Sequence, residues 1–176
     1  MLDSQLGLGH LQFRSAYDRC MPAAAVTRSS LRKVEPVVDP QTMELLPDRA
    51  WTGEQWQRIQ LGYQSRGMDE KWNVFVEGHV AHFLRSWTGH TIYEATFSDT
   101  PAGHRITAAV VETNPAKHRR ISPERDRIML ELVIAAIVLG EPATDLRAEL
   151  IKLAPHRGDV PPAAILHSAL GLRTDD

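Results

Sequence analysis

The chain has 176 residues, a length that suits one folded domain, and a formal net charge of -2, which leaves no broad positive field for a nucleic-acid backbone. Cys20 is the only cysteine, so the composition excludes an intrachain disulfide and a paired-cysteine metal site. Residues 1–14 lack the pattern of a secretory signal, and the apolar run at 128–139 is shorter than the about 20 residues of a membrane span. We therefore expect a cytoplasmic protein that binds neither membrane nor nucleic acid.

The stretch 1–50 carries no steady hydrophobic period, because glycines and prolines interrupt it repeatedly. Residues 30–38 could form an edge strand before Pro40. We predict an irregular N-terminal arm over 1–50 and a single α+β domain over 51–176.

The first ordered element is predicted to begin beside Trp51. Thr52 can cap a helix, and Gln55 can bond back to it, which is the pattern of a capping box. Trp51 and Trp56 then occupy the two positions of a hydrophobic staple. The helical pattern continues to Gly67, which predicts the end of the helix.

After this helix the hydrophobic period changes to two, which is typical of strands. Segments rich in β-branched and aromatic residues occur at 71–77, 80–87, 90–97 and 105–112. Their short connections favour antiparallel pairing of consecutive strands, so the sequence predicts a four-stranded antiparallel meander. Neither face of this sheet is purely apolar. That pattern indicates helices on one face and either a polar site or partial cover on the other.

A long buried helix is predicted at about 123–139, packed across one face of the sheet. Ser122 is a suitable cap, Pro123 suits the first helical position, and the residues that follow are apolar on nearly every side. Glu131 within this run needs a donor, and Arg127 one turn earlier is the predicted partner. Two shorter C-terminal helices are predicted at about 144–154 and 162–170.

The densest group of polar and aromatic side chains falls near the end of the first predicted hairpin. A two-residue turn places Trp72 opposite Arg85 on the adjacent strand. Arginine beside tryptophan forms a planar cationic surface that suits a carboxylate, a phosphate or a partner's acidic side chain. The alternative is a structural cation-π pair with Glu94 as the salt-bridge partner. The candidate binding residues are Lys71, Trp72, Arg85, Ser86, Trp87, Thr88, Tyr93 and Glu94.

Metal and cofactor signatures are absent from the sequence. The chain has 8 histidines, but His79 and His90 fall at opposite ends of one predicted strand and cannot share an ion. No HExxH, GxGxxG, P-loop or GxSxG pattern occurs. We therefore expect no metal and no cofactor, and the missing catalytic motifs favour binding over catalysis.

Three segments resemble the shared core of a family of short uncharacterised bacterial proteins, which reads MDxKW, then RSWTG, then IY. Here the segments are MDEKW at 68–72, RSWTG at 85–89 and Ile92-Tyr93. The similarity covers about residues 51–140. It implies the meander and a bacterial cytoplasmic setting, and it assigns no catalytic residue. Asn73 and His82 stand where that family is expected to have aromatic residues.

The first functional hypothesis is a non-enzymatic binding or regulatory protein, such as an immunity-like or antitoxin-like inhibitor. Trp72, Arg85 and Trp87 would face a protein partner, since aromatic residues and arginine are common anchors of interfaces. The sequence leaves open whether the chain is an enzyme and which oligomeric state it adopts.

The alternative is a small hydrolase or transferase acting on a nucleotide-like or phosphate-bearing ligand. Arg85 and Lys71 would hold the anion. Proton transfer would fall to Glu94, Glu77 or His82, of which only Glu94 is expected on the same face as Arg85.

Overall fold

The computed structural model describes residues 24–154 and 160–171. The first part of the predicted arm, 1–23, lies outside the described residues. The described residues form an antiparallel sheet and four α-helices, which confirms the α+β class. No helix in these ranges combines the length and the apolar character that crossing a membrane requires.

The sheet is larger than the four predicted strands. Strands β3 to β6 follow one another as antiparallel neighbours, as in the predicted meander, but β1 and β2 also pair with β6. Part of the predicted arm therefore joins the sheet, because residues 40–42 and 50–51 lie beside the long final strand. The strands are β1 (Pro40–Thr42), β2 (Ala50–Trp51), β3 (Trp72–Glu77), β4 (Val80–Arg85), β5 (Thr91–Thr100) and β6 (Gly103–Glu112).

The pairing of β3 with β4 has the predicted register, with Trp72 opposite Arg85 and Phe75 opposite His82. Trp72 and Arg85 therefore belong to one face of the sheet, and Phe75 and His82 belong to the other. The register between β4 and β5 shifts after Phe83. Phe83 lies opposite Tyr93, but the next residue, Leu84, lies opposite Thr91, so one residue of β5 is skipped. The face of Trp72 carries the main hydrophobic core.

Helix α1 (Gly53–Leu61) begins as predicted and ends earlier. Thr52 and Gln55 form the capping box, which confirms that pattern. The predicted end at Gly67 is wrong, because Gly62 already adopts a φ of 72° and ends the helix there. A Cβ on Gly62 would clash with the carbonyl oxygen of Val74, so the chain turns directly into contact with β3.

The buried helix is divided into two parts. Helix α2 (Pro123–Leu132) continues into a π-helical segment (Val133–Val138) in which every residue is buried. Here the Leu139 N–H donates to the Ile134 carbonyl at 2.9 Å, five residues back, which is the π-helical pattern. The predicted partner of Glu131 is confirmed, since its Oε2 lies 3.6 Å from Arg127 Nη1. Helices α3 (Thr144–Lys152) and α4 (Pro162–Leu170) complete the described elements.

The opposite face of the sheet is partly covered by the arm. The predicted strand at 30–38 does not form, and only Glu35 makes a single bridge to His90 in this segment. Leu31 instead packs on Phe75 and Leu84 in a small second hydrophobic cluster. The prolines and the short apolar pattern of this stretch favour such irregular packing over a continuous strand.

Candidate functional site

A cavity of about 230 Å³ opens between the sheet and the helices, and most of its polar lining is basic. Arg85 ends strand β4, while the segment 117–121 connects β6 to α2 and brings further cations. The first turns of α2 and the last residues of α4 close the other sides. We call this site the cationic cavity; its lining residues are Arg85, Tyr93, Lys117, His118, Arg119, Ile121, Arg125, Asp126, Met129, Ser168 and Ala169.

Arg85 is mostly buried and has no carboxylate at ion-pair distance in the described part of the chain. Its guanidinium lies 4.1 Å from the centre of the Trp72 ring. One nitrogen, Nη1, donates to the Ala169 carbonyl at 3.2 Å, near the end of α4. Burial lowers the pKa of Arg85, although an arginine remains charged at any physiological pH. A permanent cation is thus held by an aromatic ring and one carbonyl dipole.

Arg125 supplies a second guanidinium, from the first turn of α2. Its Nη1 is buried and has no hydrogen-bond partner. Burial also lowers the pKa of this arginine. Removing part of a charge from water without a direct partner costs free energy, and such charges are normally paired or bound to an ion.

Asp126 is the acidic residue of the lining, but other groups already engage its carboxylate. Arg120 Nε donates to its Oδ2 at 2.6 Å, and the Tyr93 hydroxyl donates to its Oδ1 at 3.3 Å. Burial raises the pKa of Tyr93 far above its usual value, so the phenol keeps its proton. Asp126 therefore does not neutralise Arg85 or Arg125 through direct contact.

His118 adds a titratable group to the cavity. Its Nε2 is buried without a hydrogen bond, at 3.9 Å from Asp126 Oδ1. Its ring also contacts Tyr93 edge-on, at 5.9 Å between centroids. An imidazole beside a carboxylate can exchange protons with a bound ligand, so the cavity contains a candidate acid or base.

Lys117 links the cavity to the N-terminal arm. Its Nζ lies 3.1 Å from Glu35 Oε2, and Lys33 and His90 contact the same carboxylate at 2.7 Å and 2.9 Å. Hydrogen bonds from Lys33 and Lys117 lower the pKa of Glu35 to about 2. The charge of Lys117 is therefore matched by Glu35, whereas those of Arg85 and Arg125 have no such match among the described residues.

A second, more open depression of about 480 Å³ adjoins the cationic cavity and shares Arg85 and Lys117 with it. We call it the Trp87 groove. Trp87 is 62% exposed, and its Nε1 donates to the Met68 carbonyl at 3.1 Å. The remaining lining residues of the groove are Met68, Asp69, Lys71, Ser86, Thr88 and His167.

The structure divides the predicted binding residues among four places, of which the last, that of Glu94, is the opposite face of the sheet. Arg85 and Tyr93 line the cationic cavity, and the groove takes Lys71, Arg85, Ser86, Trp87 and Thr88. Trp72 is only 1% exposed, and its Nε1 donates to the Ala169 carbonyl at 2.9 Å. Trp72 and Trp87 consequently do not share one exposed surface.

Glu94 lies on the opposite face of the sheet from Arg85, and the expected pairing of these two residues is wrong. Strand pairing puts Glu94 beside His82, with 3.3 Å between Oε1 and Nδ1. Glu77 also lies 3.5 Å from His82 and is held by Arg28 of the arm at 3.0 Å. The three residues predicted for proton transfer therefore form their own cluster, away from the cationic cavity.

The basic residues between β6 and α2 were not among the predicted site residues. Lys117, His118, Arg119 and Arg120 are consecutive, and Arg125 follows in the first turn of α2. This local run was the available signal, but the overall net charge of -2 concealed it.

Comparison of the chain with family models, curated proteins and solved structures gave no significant match. The interpretation of the site therefore depends on its geometry and electrostatics.

Proposed function

We propose that the chain is a binding protein for a small anionic ligand that carries a phosphate or a comparable oxyanion in the cationic cavity. The observation that supports this most directly is the pair of guanidinium groups of Arg85, which is mostly buried, and Arg125, which is partly buried, since neither has a carboxylate at ion-pair distance among the described residues. An anion bound between them would offset the cost of burying their charge. The fork of donors on arginine also suits the oxygens of phosphate.

Binding is favoured over catalysis because the predicted proton-transfer residues Glu77, His82 and Glu94 lie on the far face of the sheet. The hydrolase or transferase alternative depends instead on His118, which lines the cavity beside Asp126. This alternative would be favoured if the wild type hydrolysed a phosphate ester and the His118→Gln variant still bound the ester but no longer hydrolysed it.

The test of anion binding is a thermal unfolding series in inorganic phosphate, with sodium chloride at matched ionic strength as the reference. Phosphate should raise the melting temperature, since a ligand at 100 times its dissociation constant stabilises the folded state by about 2.7 kcal/mol. The Arg125→Gln variant should lose most of this increase, because it removes one of the two unmatched charges.

Arg127→Gln is the matched control for that experiment. Arg127 lies on the same helix, but its side chain pairs with Glu149 at 2.9 Å and does not line the cavity. This variant should retain the phosphate effect. An equal effect of phosphate on wild type and on Arg125→Gln would contradict the proposed site.

A second candidate function, attachment of a protein partner, is supported by the exposure of Met68 and Trp87. These two large apolar side chains are 73% and 62% exposed, and a hydrogen bond joins the Trp87 indole to the Met68 backbone. Exposed tryptophan and methionine are common at interfaces.

Affinity capture tests this second function. The Trp87→Ala variant should lose the specific partners that the wild type captures, and the Val38→Ala variant, which changes an exposed residue elsewhere, should keep them. Identical partner sets for both variants would remove this surface from consideration.

A further inference from the structure

We infer that the ligand has two parts, a phosphate in the cationic cavity and a planar aromatic ring stacked on Trp87, which together are the chemistry of a nucleotide. This inference depends on the proposed anion-binding function and specifies the class of ligand. The two depressions share Arg85 and Lys117 among their lining residues and are therefore adjacent, which is the observation that makes them two parts of one site in this proposal.

The sizes of the two depressions indicate that the cationic cavity holds the phosphate and that the Trp87 groove holds the ring. The cationic cavity has a volume of about 230 Å³, below the roughly 300 to 1,000 Å³ of pockets for whole cofactor-sized ligands. It suits a phosphate group, and its unmatched guanidinium groups select that end of the molecule. The adjoining groove, of about 480 Å³, has room for a larger group.

Trp87 is the feature of the groove that favours a flat ring. The indole is exposed, yet the hydrogen bond from its Nε1 to Met68 fixes the orientation of the ring. A held, solvent-facing indole offers a stacking surface, and base stacking on aromatic side chains tolerates any base. The lining residues Asp69 and Thr88 offer a carboxylate and a hydroxyl that can meet the hydroxyls of a sugar.

The experiment is isothermal titration of the full chain with adenosine 5′-monophosphate and with ribose 5-phosphate, which lacks the ring. Stacking should make the wild type bind the nucleotide about 5- to 150-fold more tightly than the sugar phosphate. Trp87→Ala should remove this difference by weakening the nucleotide alone. Arg125→Gln should weaken both compounds, because it acts on the shared phosphate.

The two proposals fail in different ways. Equal affinity of the wild type for the two compounds, or a Trp87→Ala variant that keeps the preference for the nucleotide, would overturn the two-part ligand and leave anion binding in place. Failure of both compounds to bind the wild type, or equal binding by wild type and Arg125→Gln, would overturn the anion site itself. Val38→Ala, which changes an exposed residue outside both depressions, should leave both affinities unchanged.

Discussion

Arg125 and Arg127 differ by two positions on one helix and have different electrostatic environments. Arg127 pairs with Glu149 and Glu131, at 2.9 Å and 3.6 Å. Arg125 has a buried nitrogen without a hydrogen bond and borders the cationic cavity. An arginine that stabilises the fold has an ion-pair partner within the chain, as Arg127 does. An arginine that binds a ligand can lack such a partner, as Arg125 does, because the ligand supplies the opposite charge.

This contrast predicts the effects of the two arginines on stability in the absence of any anion. Arg125→Gln should leave the free energy of unfolding unchanged or raise it by up to about 1 kcal/mol, because it removes a partly buried charge that lacks a partner. Arg127→Gln should lower it by up to about 1 kcal/mol, since it breaks pairs that solvent partly screens. Urea denaturation at low ionic strength, without phosphate or sulfate, measures both. A larger loss for Arg125→Gln than for Arg127→Gln would mean that Arg125 is a structural residue.

Elements defined by local chemistry could be predicted from the sequence. The capping box of Thr52 and Gln55 depends on residues three positions apart, and the register of the first hairpin follows from its two-residue turn. The end of α1 was harder to predict, because either Gly62 or Gly67 could end the helix. Gly62 ends the helix since its turn is fixed by β3, which lies ten or more residues further along the chain.

Substitutions of the glycines at the two ends of α1, Gly53 and Gly62, test this account of the helix end. Gly62→Ala should lower the free energy of unfolding by about 1 to 3 kcal/mol, because φ is 72° and the new Cβ would meet the Val74 carbonyl. Gly53→Ala should raise it by up to about 1 kcal/mol, since no atom lies within 4 Å of that Cβ and the backbone is helical. Thermal or urea unfolding gives both values. A neutral Gly62→Ala would show that α1 does not end there in solution.

At the scale of the whole molecule, the class of fold could be predicted from the sequence, and two of the predicted binding residues line the cationic cavity. Arg85 and Tyr93 were among the candidates, because they belong to strands whose pairing could be read from local patterns. Arg125 and the basic residues at 117–119 could not be placed beside them, since their position depends on how α2 packs against the sheet. The closing residue Ala169 comes from a helix more than eighty residues after Arg85, so no local rule connects the two.

The same long-range packing makes the stability of the molecule depend on Glu112 at the end of β6. Its fully buried carboxylate accepts N–H groups from Val38 at 2.7 Å, Asp39 at 3.0 Å and Asn114 at 2.9 Å, and so fastens the arm to the sheet. Burial acts to raise the pKa of Glu112, but these backbone hydrogen bonds lower it on balance.

The pKa of Glu112 in the folded state lies below the value of about 4.3 expected in the unfolded state. The carboxylate therefore stabilises the fold at pH values above about 4.3, and this stability is lost as the pH falls toward the folded-state pKa. Glu112→Gln should therefore be less stable than the wild type at pH 7, and the difference should shrink below about pH 4.3. Glu131→Gln is a control of opposite sign, because burial raises the pKa of Glu131 and the neutral side chain should be favoured at pH 7. Urea denaturation between pH 7 and pH 3 measures these differences, and a Glu112→Gln curve parallel to the wild type throughout would contradict this role of the carboxylate.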